Sequence, residues 1–254
     1  MVNRKGIYAA RNVFEETGYD TLGDISINDF AMGLGAFVKE EPMSAEGRIV
    51  FSGDDAIITL NTNIDLITKK RFILAHELGH FRMHKGLSNK FEDTGKTLND
   101  WLAKGEQELE ANDFAKEFLM PEHIFKPKAK GKFSFDLIKS LANHFNTSLT
   151  STFLRYVDLG DFPVALVYSE NKIVKWTQFS DDFVMQFIPY NSKIPVYSVA
   201  WETYEGENYN SPESVEAKEW FANDYKLKYN LDLELYEQCF KVADNAVLSC
   251  IWTK

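Results

Sequence analysis

Phe72-Ile73-Leu74-Ala75-His76-Glu77-Leu78-Gly79-His80 is the stretch on which the reading of this chain turns. No Pro occurs between Asp65 and His84, so a helix over 65–84 is expected, with Asp65 as its cap. Two histidines four residues apart lie on one helix face, one above the other. Neutral imidazoles at that spacing can share a single Zn²⁺. Glu77 stands about 100° round the helix from His76. It is then beside such an ion rather than on it, where a carboxylate can take a proton from the attacking water. The plain alternative is a surface helix that carries the HExxH string by chance. Lys69, Lys70 and Arg71 are expected to face solvent. His84 repeats the four-residue step, but each step rises about 6 Å, too far for three rungs of one straight helix to meet one ion. It is expected to close the helix or to touch a ligand.

An ion that keeps a position open for water needs a third protein ligand. Position 86 is Gly, where a metzincin carries a third His. The acidic residues downstream are Glu92, Asp93, Asp100, Glu106, Glu108 and Glu110. The run from Glu106 to Met120 has no Gly or Pro and ends at Pro121, so it reads as a helix. Its small and apolar stripe is Ala111, Ala115, Phe118 and Leu119. Glu108 and Asn112 fall on that face, while Glu106 and Glu110 point elsewhere. A carboxylate on a buried stripe needs a partner, and a metal ion supplies one. Ala111 and Ala115 permit close approach of the first helix. Asn112 is placed to hydrogen-bond Glu108 or a ligand His. Without a metal, Glu108 would pair with Lys116 or sit in water.

These two helices carry a resemblance. Glu108-x-x-Ala111-Asn112-x-Phe114-Ala115-x-x-Phe118-Leu119-Met120-Pro121, following Ala75-His76-Glu77-Leu78-Gly79-His80, resembles the ImmA/IrrE metallo-endopeptidases. Gly18, Asp29-x-Ala31, Leu34-Gly35 and Gly47 add to it, and it covers about residues 4–160. The resemblance implies zinc held by His76, His80 and Glu108, with Glu77 as general base. It also implies a cytoplasmic bacterial or phage setting and a protein substrate, a helix-turn-helix repressor whose cleavage relieves repression. No repressor-like DNA-binding domain precedes the first helix, so the repressor is expected to be a separate protein. The rival reading is a non-proteolytic anti-repressor that binds and displaces it. The same ligands would also accept Mn²⁺ or Fe²⁺.

The whole chain suits such a protein. Its 254 residues are 44% hydrophobic with 20 Phe, enough for a real core. A net charge of −10 argues against general attraction to nucleic acid or anionic membrane. No run of about 18 apolar residues occurs, so no membrane span is expected. Cys239 and Cys250 form no disulfide framework and are expected as buried thiols.

The expected fold is α+β: a zincin-like helical domain with a small antiparallel sheet over 1–125, a helix-turn-helix-like segment over 126–160, and a C-terminal α/β domain over 161–254. Helices are expected at 4–17 and 27–34, ended by Gly18 and Gly35, then a strand at 36–39. Runs 48–51 and 56–61 flank Gly53-Asp54-Asp55 as a hairpin. A strand within 47–61 is the candidate edge on which a substrate peptide could dock. Residues 85–105 read as loop, either a lid or a surface excursion. Residues 125–132 read as a basic linker, and 134–145 and 148–157 as two short helices. The second carries one basic residue, Arg155, so direct DNA reading is not expected. Arg155 is instead a candidate for stabilising the oxyanion of the reaction. Beyond 161, strands are expected at 163–168, 173–176, 194–201, 231–235 and 246–252, with a helix at 213–222. A sensor role, suggested by a GAF-like domain in one relative, and substrate recognition are the two readings of this part.

Overall fold

A computed structural model describes residues 4–23, 25–87, 90–94, 105–207 and 211–254, with backbone alone for 90 and 92–94. It is α+β. The helices are α1 (Lys5–Thr17), α2 (Ile27–Gly33), α3 (Ile67–Met83), α4 (Glu106–Leu119), α5 (Glu122–Lys128), α6 (Phe135–Phe145), α7 (Leu149–Leu159), α8 (Val199–Glu205) and α9 (Ala217–Phe221). The strands are β1 (Ala36–Glu41), β2 (Ala45–Ser52), β3 (Asp55–Asn61), β4 (Lys90–Thr94), β5 (Val164–Glu170), β6 (Ile173–Phe179), β7 (Glu213–Glu216), β8 (Glu234–Ala243) and β9 (Ala246–Thr253). They fall into two compact units. The first holds residues up to 128 together with 139–151; the second holds 129–138 together with 152–254. The helical segment 126–160 is thus shared out between the units.

In the first unit, α3 is the central element. Every residue from Ile73 to Phe81 is buried, so this helix has no solvent face along its middle. It packs on β2 and β3 on one side and on α4 on another, with α1 laid across α4. Phe14, Phe30, Phe114 and Phe118 join α1, α2 and α4, with ring centroids 5.1–6.1 Å apart. The helix starts later than its sequence suggests. Leu66, not Asp65, is the N-cap residue and makes no side-chain capping bond. Lys69 and Lys70 are only partly solvated. They lie 2.5 Å from Glu46 and Glu40 of the neighbouring strands, which draws them onto the sheet.

The sheet runs β1-β3-β2-β4, with β1 parallel to β3 and the other pairs antiparallel. The hairpin forms as expected, turning at Gly53 with φ +60. Its role as a free edge is overturned. β3 lies between β1 and β2, and β2 between β3 and β4, so the edges of the described sheet are β1 and β4. The cause is β4, a strand inside a stretch expected to be loop. The lid reading of the remainder falls on 95–104, outside the described residues.

The basic linker is also corrected in part. Glu122–Lys128 is helix α5, which buries Phe125 against Phe145, centroids 5.6 Å apart. Ser134 and Ser148 accept main-chain N–H bonds from Leu137 and Ser151 and so start α6 and α7.

In the second unit, the antiparallel sheet has the order β6-β5-β9-β8-β7. Its core includes Phe183, Trp220, Phe221, Val247 and Ile251. The strand expected at 194–201 is instead a turn followed by α8. Pro195 offers no N–H, and the Ser198 hydroxyl donates to the Pro195 carbonyl and accepts from Trp201 N–H, nucleating the helix against a β-branched run. The helix expected at 213–222 is strand β7 followed by short α9, and the strand expected at 231–235 begins only at Glu234. Glu237 is wholly buried and accepts from the N–H groups of Val199 and Ala200 and from Trp220 Nε1. Cys239 and Cys250 are free thiols.

Candidate metal centre

The helix crossing of α3 and α4 is set by small residues. A Cβ built on Gly79 would lie 3.1 Å from Ala111 Cα and 3.2 Å from its carbonyl oxygen. At that separation the side chains of the two helices share one space. His76 and His80 project from α3 with their Nε2 atoms 3.0 Å apart. Glu108 comes from α4, its Oε2 3.3 Å from His76 Nε2 and its Oε1 3.4 Å from His80 Nε2. One donor atom from each of the three residues falls within 4.8 Å of the others. The two imidazoles keep 2% and 1% of their side-chain surface, and Glu108 keeps 24%, so access to the centre is from the Glu108 side.

The donor set fits a zinc ion. Two nitrogens on one tetrahedral zinc at about 2.0–2.1 Å would lie roughly 3.3 Å apart, close to the separation already present. Both histidines also have the far ring nitrogen occupied. His76 Nδ1 is 2.9 Å from Asn112 Oδ1, and His80 Nδ1 is 2.8 Å from His84 Nδ1. An amide oxygen only accepts, so His76 carries a hydrogen on Nδ1. Burial pushes the His80 imidazole down to about 4. For Glu108, burial opposes the charge, but the hydrogen bonds and charge of His76 and His80 outweigh it and hold the carboxyl well below the usual range. Two imidazole nitrogens and a carboxylate facing one another are a donor set that binds a metal in its deprotonated form.

Glu77 is buried, with its carboxylate against β2. A Cβ on Gly47 would lie 2.7 Å from Glu77 Oε1 and 2.4 Å from Ile73 Cγ2, so only Gly lets the strand come this close. The structure therefore brings His76, Glu77, His80, Glu108 and Asn112 into the first unit. Arg155 is buried on α7 and falls in the second unit.

Sequence reasoning missed two participants. Glu110, read as pointing away, is buried and lies 2.9 Å from His84 Nε2 and 2.7 Å from Lys5 Nζ. Phe91 of β4 stacks on the His80 ring, centroids 4.3 Å apart. The one signal for Glu110 was His84 itself, a buried polar residue in need of a partner.

Fold and donors together give a group that could hold a metal ion, built from an HExxH helix and a glutamate on a second helix. Residues 31–155 match the family model of the IrrE N-terminal-like domain, a peptidase family, and this segment is similar to it. Among solved structures, a Mycobacterium tuberculosis transcriptional regulator is similar over 100% of this chain and 89% of that one, with a TM-score of 0.61 and 14% identity. At that identity the likeness is one of fold. Comparison with curated protein sequences gives no match. Among the described residues, no helix is long and apolar enough to cross a membrane.

Proposed function

We propose that this chain is a zinc-dependent endopeptidase whose substrate is a separate helix-turn-helix repressor, cut so that repression is relieved. The observation that carries the activity is the convergence of His76 Nε2, His80 Nε2 and the Glu108 carboxylate beside the buried Glu77. When bound, the ion supplies Lewis acidity toward water and the peptide carbonyl. His76, His80 and Glu108 hold it, and Asn112 keeps His76 in the ligating tautomer. Glu77 takes the proton of the attacking water and returns it to the leaving amine. β4, an edge strand of the described sheet whose Phe91 rests on His80, supports a main-chain docking site for an extended peptide. The repressor as substrate rests on the family, and the C-terminal sheet is read as the part that senses a signal or holds that substrate.

The test incubates the zinc-loaded full chain with the helix-turn-helix repressor encoded nearest to it and identifies products by mass spectrometry. We expect one zinc per chain and a discrete cut, with Glu77→Gln keeping the zinc and losing the cut. Release of the repressor from DNA by the Glu77→Gln variant, with no product, would instead establish the anti-repressor reading.

A further inference from the structure

We propose that Glu46 and Lys69 form a charge-reading subsite, which takes an acidic substrate side chain about three residues from the cut bond. This subsite rests on the endopeptidase reading above and names the substrate class of that same cleft.

Strand alternation breaks at Glu46. Ala45 pairs with Thr94 and Gly47 with Asp93, so β2 takes two steps where β4 takes one. Glu46 is the extra residue, a β-bulge. In a regular strand Glu46 and Gly47 would face opposite sides of the sheet. Here both turn to α3. A Cβ on Gly47 would meet Ile73 and Glu77, and Glu46 Oε1 accepts from Lys69 Nζ at 2.5 Å. The bulge thus brings a carboxylate to the helix about one turn before Ile73.

The pair is in line with the metal donors. Lys69, His76 and His80 fall within about 40° of one another around α3. Lys70 makes a like bond to Glu40, but it sits about 100° round the helix from Lys69 and off that line. The rise from Lys69 to His76 is about 10 Å, which an extended chain covers in about three residues. β4 follows the same course. Phe91, stacked on His80, is opposite Ile49, and the strand then runs past Gly47 to Ala45, the two neighbours of Glu46. A peptide laid along the outer edge of β4 and over the metal donors therefore leads toward Glu46 and Lys69.

Chemistry sets the sign of the charge that is read. Glu46 keeps 13% of its side-chain surface and Lys69 keeps 31%, so the ammonium is the more open partner. Its nitrogen carries three hydrogens, and Glu46 takes one. The carboxylate holds the long side chain in one place, and the two further N–H groups can donate. An Asp or Glu of the substrate accepts from them, whereas a Lys or Arg meets a like charge.

The experiment gives the zinc-loaded full chain a pool of synthetic peptides of randomised sequence, with cut positions and rates read by mass spectrometry. The same pool is captured on zinc-loaded Glu77→Gln protein and sequenced. We expect Asp or Glu to be favoured about three residues from the cut, by about fivefold in kcat/KM over Gln. Lys69→Met keeps the alkyl stem and should abolish the preference. Lys69→Glu should turn it toward Lys and Arg, and Lys69→Arg should keep it, each with zinc still stoichiometric. Cutting with no acidic preference, or with one that Lys69→Met leaves unchanged, would overturn the subsite and leave the peptidase reading standing. Acid-selective capture that Lys69→Met removes, in a protein that cuts nothing, would uphold the subsite and remove the peptidase reading. Neither cutting nor acid-selective capture would overturn both.

Discussion

Gly47 sets how near β2 comes to Glu77. An alanine there would put a methyl group 2.7 Å from the Glu77 carboxylate and 2.4 Å from Ile73. Gly47→Ala is expected to displace Glu77, the proposed general base, and lower turnover on the order of 100-fold, with zinc still stoichiometric. Steady-state kinetics beside metal analysis checks this, and unchanged turnover would show that Glu77 need not sit where the strand puts it. A second expectation concerns pH. His80 is pushed below its ordinary 6.5 to about 4, so it adds stability fully above 6.5 and loses it as pH falls through 4. Glu108 is held below its ordinary 4.5, so its contribution is present above 4.5 and is lost on further acidification. Both signs agree: metal-free protein should lose stability steadily between pH 6.5 and 4. Denaturant melts at several pH values test this, and a flat profile would refute it. Much of this scale was legible in the sequence, because i, i+4 spacing places His76 with His80 and Glu108 with Asn112. Glu110 was not, because the same periodicity turns it away from Glu108. Nothing in the spacing along α4 tells that α1 and His84 wait on that other side.

Helix spacing belongs to the next scale. α3 can carry a polar centre because Gly79 and Ala111 let it lie close to α4, and α1 lies close to α4 because of Gly6. Gly79→Ala must move Ala111 and Phe114 by a few tenths of an ångström. It should cost about 1–3 kcal/mol and weaken zinc binding, since His76 and His80 sit on one helix and Glu108 on the other. Equilibrium denaturation and zinc titration of the same variant check the two effects; loss of stability with undiminished zinc affinity would show that the ligands tolerate a wider crossing. The elements that the sequence revealed were those with their own local signals: Gly18 after α1, Gly35 after α2, the Gly53 turn, Pro121 after α4. β4 had none. Lys90-Phe91-Glu92-Asp93-Thr94 has one apolar residue, and its strand is made by pairing with β2 rather than by propensity. α8 shows the converse, since Val196 and Val199 favour a strand while Ser198 and Pro195 start a helix.

Over the whole molecule, the two units do not follow one another along the chain. The backbone passes between them three times, at 128–129, 138–139 and 151–152. Phe133, Phe135 and Phe153 belong to the second unit, packing on Trp252 and Phe240 with centroids 4.8–6.3 Å apart. A fragment ending at residue 160 would strip those rings of partners worth about 1.5–3 kcal/mol each. It should be poorly soluble and bind a hydrophobic dye, whereas the full chain should not; a soluble, fully active fragment would contradict this. The composition change near 161 suggested a boundary there because it marks where strands begin. It could not show that residues 129–138 and 152–160, upstream of that point, already belong with the later sheet. For inheritance the result is a constraint: no single crossover in the gene exchanges the second unit cleanly, since one before 129 carries off 139–151 of the first unit and a later one leaves 129–138 behind. A replacement of the second unit in this lineage would then need more than one exchange, not one transfer of a ready-made module.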